Sequence, residues 1–197
     1  RLEVIDAEAL PDNLAIDYAL MARDFRDTLE AAEFDHTRYI TFTNRGGPQG
    51  AISSLPYSSP LFTVADYDSY LSRIEAFPEY IQAFIARNEG GIERGLTQPC
   101  EPMEGYEASV AGLIAESPED SVWWQAFETR PSAISESDWA DLQVRARTAI
   151  SEGAFEGLGT FLEYYEEDYA PNCRDGASPG IGETPGGQEY YAYRVRS

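Results

Sequence analysis

The sequence predicts an all-α fold, an irregular assembly of about six to seven helices joined by long loops. Three observations carry that prediction. Apolar residues recur at steps of three and four along most of the chain, the signature of helices that bury one face. Thr63, Pro78, Ser117 and Ser135 stand at the starts of such stretches, where their side chains suit a helix N-terminus. No stretch alternates polar and apolar residues for the length of a strand, and no strand–helix–strand rhythm recurs.

From Pro11 to Phe34, Leu14, Tyr18, Met21, Phe25 and Leu29 form an amphipathic stripe with acids elsewhere. Residues 35–62 lack helical periodicity and read as one long ordered loop, in which RYITFT suits a short extended piece. Loops of this length inside a compact domain are usually functional or packed wraps. Thr63 with Asp66 three residues on resembles a capping box, opening a helix through Tyr67, Tyr70, Leu71 and Ile74. Pro78 restarts the helix after Phe77, and Tyr80, Ile81, Phe84 and Ile85 carry it to Gly90–Gly91 or to Gly95. Met103 to Ala115 predicts a shorter helix through Tyr106, Val110 and Ile114.

Ser117–Asp120, with Ser at the cap, Pro next and acids in the first turn, opens a short helix bearing Trp123, Trp124 and Phe127. Ser135 caps the longest element, whose stripe runs from Trp139 through Leu142, Ala146 and Leu158 to Tyr169. Gly153, Gly157 and Gly159 interrupt it, each weakening a helix by up to about 1 kcal/mol unless another backbone packs closely there. A Pro/Gly loop, 171–187, leads to a terminal helix with Tyr190, Tyr191 and Arg194 on helical spacing.

Composition narrows the partners. Of 197 residues, 43% are hydrophobic and 13% aromatic, enough for a real core. Asp and Glu number 35 against 14 basic residues, all of them Arg, for a net charge of -21. A field of that sign disfavours nucleic acid and anionic lipid. No apolar run approaches the roughly 18 residues of a membrane span.

Cys100 and Cys173 lie in Pro-flanked loops, with no second thiol or His nearby to suggest zinc. Paired, they close a loop worth about 4 kcal/mol and point to an oxidising compartment, periplasmic or secreted; unpaired, they are two unrelated thiols.

Chemistry is sparse. His36 is the sole histidine; it suits a loop or cap, and no H-E-x-x-H, G-x-S-x-G or phosphate-binding glycine loop accompanies it. Glu163, Glu166 and Glu167 share a helical neighbourhood that suits a solvated face better than a cation site. Arg45 beside Gly46–Gly47 offers a guanidinium with exposed amides to a carboxylate such as a peptide terminus, or else forms a structural turn with Arg45 paired to an acid. Tyr190 and Tyr191 offer hydroxyls to a substrate, or core packing.

Taken in order, NRGGPQ, YLSRIEAFPEYIQAFIARNEGGIERGLTQP, YAPNCRD and PGGQEYYAYRV resemble the bacterial family called domain of unknown function 885. The resemblance runs from about Leu10 to Arg196, with Pro185, Gly187, Tyr190 and Tyr191 its best local match. Members are described as lipoproteins or carboxypeptidase-like proteins. The resemblance implies an all-helical, zincin-like peptidase whose H-E-x-x-H and zinc lie downstream of the tyrosine pair. No catalytic or metal-binding residue carries over, because no position here matches one. This chain then reads as the N-terminal portion of such a protein, without cofactor of its own. Its expected partners are a C-terminal catalytic half and a peptide substrate, with Arg45, Gly46, Gly47, Tyr190 and Tyr191 facing the cleft, and self-association where apolar surface is left bare. The alternative is a stand-alone acidic helical module binding a peptide or protein in the bacterial envelope.

Overall fold

The computed structural model describes residues 2–176 and 179–197. Among these there is no strand, only isolated bridges at Thr43–Gly46 and Pro99–Arg174, and the fold is all-α. No helix among them is long and apolar enough to cross a membrane.

The first half holds α1 (Asp12–Ala31), α2 (Asp35–Tyr39), α3 (Pro48–Ser53), α4 (Leu55–Ser58), α5 (Val64–Glu75) and α6 (Phe77–Glu93). Residues 35–62 are therefore not one loop. They fold into three helices of four to six residues, too short to display a 3.6-residue period. Tyr39 ends α2, so RYITFT is only in part extended. The capping box at α5 is present: the Asp66 N–H donates to Thr63 Oγ1 at 3.3 Å, and the Thr63 N–H donates to Asp66 Oδ2 at 2.9 Å. Helix α6 passes through Gly90–Gly91 and stops before Gly95, whose φ of 67° takes the chain out of helical space.

In the second half, α7 (Cys100–Met103) and α8 (Tyr106–Ala111) replace the single helix expected from Met103 to Ala115. Gly105 at φ 78° separates them. The segment after Ser117 forms two 3₁₀ turns, Pro118–Asp120 and Val122–Phe127, in place of an α-helix. Ser135 caps α9 (Glu136–Ala149), accepting the Asp138 N–H at 3.1 Å. The helix continues through a π segment (Ile150–Phe155), α10 (Glu156–Tyr164) and a second π segment (Tyr165–Tyr169). Within the 171–187 loop, Ile181–Glu183 makes a 3₁₀ turn, while positions 177–178 lie outside the described residues. The chain closes with α11 (Gly187–Arg196).

The core lies where α5 and α6 cross the long helix, covered by α8 and the Val122–Phe127 turn. Two of the three glycines of that helix mark close approaches. A Cβ on Gly153 would stand 2.9 Å from the carbonyl carbon of Ile74, and one on Gly157 would stand 2.5 Å from the Phe77 ring, whereas Gly159 faces open space.

The tyrosines have a structural use. Short helices leave orphan carbonyls, and donors from longer elements satisfy them. Tyr165 donates to Met103 O at 3.0 Å, Tyr70 to Trp123 O at 3.0 Å, Tyr67 to Ala126 O at 2.8 Å, and the Trp123 indole to Ile52 O at 2.9 Å. Burial drives the Tyr70 hydroxyl far above its ordinary pKa, so it stays a donor at all accessible pH.

Helix α1 departs from expectation. Its stripe is real but not buried: Leu14 is 46% exposed, Met21 50%, Phe25 49% and Leu29 71%, and Ala22 is its only buried residue.

Candidate functional site

The terminal segment returns to the end of α1 and the start of α2. Tyr193 stacks on Phe34 with centroids 5.3 Å apart, and its hydroxyl donates to Asp27 O at 2.9 Å. Tyr190 meets Phe34 edge-on at 5.4 Å and lies flat on His36, 4.5 Å away and 6° from parallel. His36 is buried. Thr184 Oγ1 donates to Ile181 O at 2.5 Å, so its lone pair accepts the His36 Nε2–H at 2.7 Å. That arrangement places a proton on Nε2. Burial lowers the His36 pKa, the Asp35 carboxylate opposes the shift, and the Arg174 guanidinium adds to it.

Beside Phe34 a cleft of about 600 Å³ opens between the end of α1, α2 and α6. Ala32, Phe34, Thr37, Arg38, Tyr39, Ala86 and Arg87 line it. Arg94 packs on one lining residue: its guanidinium sits 4.5 Å over the Tyr39 ring, donates to Gly90 O at 2.7 Å and reaches Asp35 at 3.8 Å. Thr41 donates to the buried Asn88 at 2.9 Å, and Asn88 donates to Phe84 O at 2.7 Å, which fixes α2 against α6. Among the described residues no carboxylate lines the cleft.

The other sequence-predicted residues fall elsewhere. Arg45 is exposed in a turn closed by reciprocal Thr43 and Gly46 backbone bonds of 2.9 and 3.2 Å. Gly47 sits over the Tyr106–Gln49 pair, in which the tyrosine donates at 2.8 Å; Gln49 Oε1 lies 2.6 Å from where a Cβ would stand. Tyr191 is 56% exposed. No hydrogen bond, ion pair or ring contact among the described residues joins the Arg45 turn to Tyr190 or Tyr191. Cys100 and Cys173 are joined, their Cα atoms 5.0 Å apart, so the free-thiol alternative is excluded. Backbone bonds flank the bridge: the Cys100 N–H donates to Arg174 O and the Arg174 N–H donates to Gln98 O, each at 2.9 Å. Tyr169 accepts the Gln98 N–H at 2.9 Å, and burial raises its own pKa to about 12. Glu166 borders a groove beside the disulfide and is exposed, as are Asp168 and Glu167.

A family model described as "Bacterial protein of unknown function (DUF885)" matches residues 1–197. The chain belongs to the DUF885 family. Among solved structures, "the putative lipoprotein from Colwellia psychrerythraea" superposes on the DUF885 chain with a TM-score of 0.72 at 15% identity. The match covers 80% of this chain and 27% of that one, so the chain spans about a quarter of that protein's length. At that identity the likeness concerns the fold. No curated protein matches the chain.

The zinc implied by resemblance does not fit the residues of this DUF885 chain. Among the described residues no three His, Cys, Asp or Glu side chains group to hold a metal ion, and His36 is already engaged by Thr184 and Tyr190. Sequence reasoning missed Arg38 and Arg87, which are 49 positions apart and meet only through the packing of α2 on α6. Arg87 did carry a signal: with Ala83, Phe84, Gly90 and Gly91 at its helical neighbour positions, it lacks an acid in a chain that has 35.

Proposed function

We propose that this chain is the N-terminal helical region of a larger, exported, zinc-peptidase-like protein, where it walls a substrate cleft and performs no chemistry itself. One observation carries the reading: the two faces of α1 are used in opposite ways. At 100° per residue, Arg23, Asp27 and Glu30 lie about 160–220° around the helix from Leu14. Those residues hold α11: Arg196 pairs with Glu30, Arg23 donates to Arg196 O at 3.1 Å, and Asp27 O accepts from Tyr193. Tyr18, Met21, Phe25 and Leu29 lie within about 60° of Leu14, on the other side. That stripe is the one left bare. A helix with so much apolar surface in water is an interface awaiting a partner, and the partner we assign is the remaining chain of the parent protein.

Family membership and the lipoprotein-described neighbour support an envelope or secreted setting, as does the disulfide. In this reading Arg45, Gly46, Gly47, Tyr190 and Tyr191 border the wall, and a peptide is the substrate.

The test compares residues 1–197 with the protein continued through its open reading frame, with and without added zinc. The longer protein is expected to carry H-E-x-x-H and hydrolyse peptides; residues 1–197 are expected to do neither. Phe25→Glu should leave the fold of residues 1–197 intact while weakening their association with the separately produced remainder. Zinc-dependent turnover by residues 1–197 alone, or association indifferent to Phe25→Glu, overturns the proposal.

A further inference from the structure

We propose that the cleft between α2 and α6 binds a carboxylate carried on an apolar or aromatic body, with Arg38 and Arg87 holding the anion. The inference does not depend on the peptidase reading, because it uses only side chains of this chain.

The argument begins with the use of arginine. Acids outnumber arginines 35 to 14, yet Arg26, Arg45 and Arg73, like the two cleft arginines, form no ion pair with a carboxylate among the described residues; what sets Arg38 and Arg87 apart is the cleft they share. Arg94, Arg130, Arg145, Arg147 and Arg196 each pair with a carboxylate, and Arg23 pairs with Asp27. Arg38 and Arg87 pair with none among the described residues, and both line the same cleft. The nearest acid in sequence to Arg38 on its own helix, Asp35, is directed to Arg94. Both arginines are part of the wall, and an anion bound between their guanidiniums would offset the repulsion of two like charges. Guanidinium geometry favours a planar carboxylate, which accepts parallel N–H pairs from each fork.

The rest of the wall sets the remaining chemistry. Phe34 and Tyr39 present rings, Ala32 and Ala86 present methyl groups, and Thr37 adds one hydroxyl. About 600 Å³ lies in the range of small-molecule sites. The net charge of -21 opposes an anion at long range. Charges beyond about 10 Å are screened at 0.1 M salt, however, whereas the two guanidiniums would touch the ligand. Phe34 is held by Tyr190 and Tyr193, so this part of the aromatic wall is preformed.

Titration of N-acetylphenylalanine into residues 1–197 at 0.1 M salt, followed by amide chemical shifts, tests the assignment. The free acid should shift residues 32–39 and 86–87, and N-acetylphenylalanine amide should bind at least tenfold more weakly. Arg38→Gln and Arg87→Gln should each weaken the acid about tenfold or more, the loss of a charge-assisted bond. Arg26→Gln, an equal charge change on α1 away from the cleft, should leave binding unchanged. Both cleft arginines are exposed, so the variants are expected to fold, which circular dichroism verifies. Equal binding of acid and amide, unchanged binding in the cleft variants, or inorganic phosphate binding as well as the acid would each overturn the assignment.

Discussion

Gly153→Ala tests the central packing of the fold, with Gly159→Ala as its internal control. Both glycines lie on the long helix, in or beside its π segment, and alanine in place of either lowers the intrinsic cost of a helix by about 1 kcal/mol. The two sites differ only in what the new methyl meets. At Gly159 nothing stands within 4 Å, so the full gain should appear as a rise in Tm of about 2–4 °C for a chain of this size. At Gly153 the methyl would stand 2.9 Å from the Ile74 carbonyl carbon and 3.2 Å from its Cγ2, with the carbonyl oxygen nearer still. Comfortable contact is about 3.5–4.0 Å, so α5 and the long helix must separate by several tenths of an ångström. Backbone cannot swing aside as a side-chain tip can. Overpacking of this kind costs about 1–3 kcal/mol, and a clash against backbone that cannot swing aside argues for the upper end. Subtracting the propensity gain leaves a net loss of about 2 kcal/mol, or about 4–8 °C in Tm. Any change in the unfolded chain is common to both variants, so their difference, about 3 kcal/mol, isolates the clash. Urea unfolding of both proteins measures it. A Gly153→Ala protein as stable as Gly159→Ala would refute the close crossing of α5.

Reducing the Cys100–Cys173 bridge should lower stability by about 4 kcal/mol, the chain-entropy cost of releasing a closed loop whose ends are 73 positions apart; equal urea midpoints with and without reductant would contradict this. Stability should also fall as pH drops from 7.5 to 5.5. His36 has its folded pKa lowered by burial, so below the ordinary histidine value of about 6.5 the unfolded chain takes the proton first. As His36 is the sole histidine, His36→Gln should flatten that window, and an unchanged slope would remove the assignment.

What the sequence made legible was what is local. The Thr63–Asp66 box and the Ser135 cap involve residues three apart, and both stand where the pattern put them. The long helix was legible because a stripe from Trp139 to Tyr169 outlasts any ambiguity of period. Helices of four to six residues, as in 35–62, contain scarcely one repeat and left no trace. The Val122–Phe127 turn read as α-helix because Trp123, Trp124 and Phe127 share one side in either geometry. The stripe of α1 was legible as one apolar helical face, but its exposure was not, since periodicity records that a face is apolar and not what covers it. The cleft was illegible for a different reason: Arg38 and Arg87 acquire a common purpose only when Tyr39 and Thr41 set α2 upon α6.

The way α1 is held ties these parts together. Its polar ties to α11 are exposed: in the Arg196–Glu30 ion pair the side chains are 63% and 40% accessible, and Arg23, which donates to the Arg196 carbonyl, is 60%. Such pairs contribute about 0–1 kcal/mol each and cannot by themselves fix a 20-residue helix that buries only Ala22. The strength must come from the aromatic group at its end, where Phe34 is clasped by Tyr190 and Tyr193 and Tyr190 rests on His36. Ring pairs of this kind add about 0.5–1.5 kcal/mol each beyond burial, which outweighs the ion pairs. Phe34 also forms a wall of the Arg38–Arg87 cleft. One ring therefore belongs at once to the end of α1, the seat of α11 and the wall of the cleft.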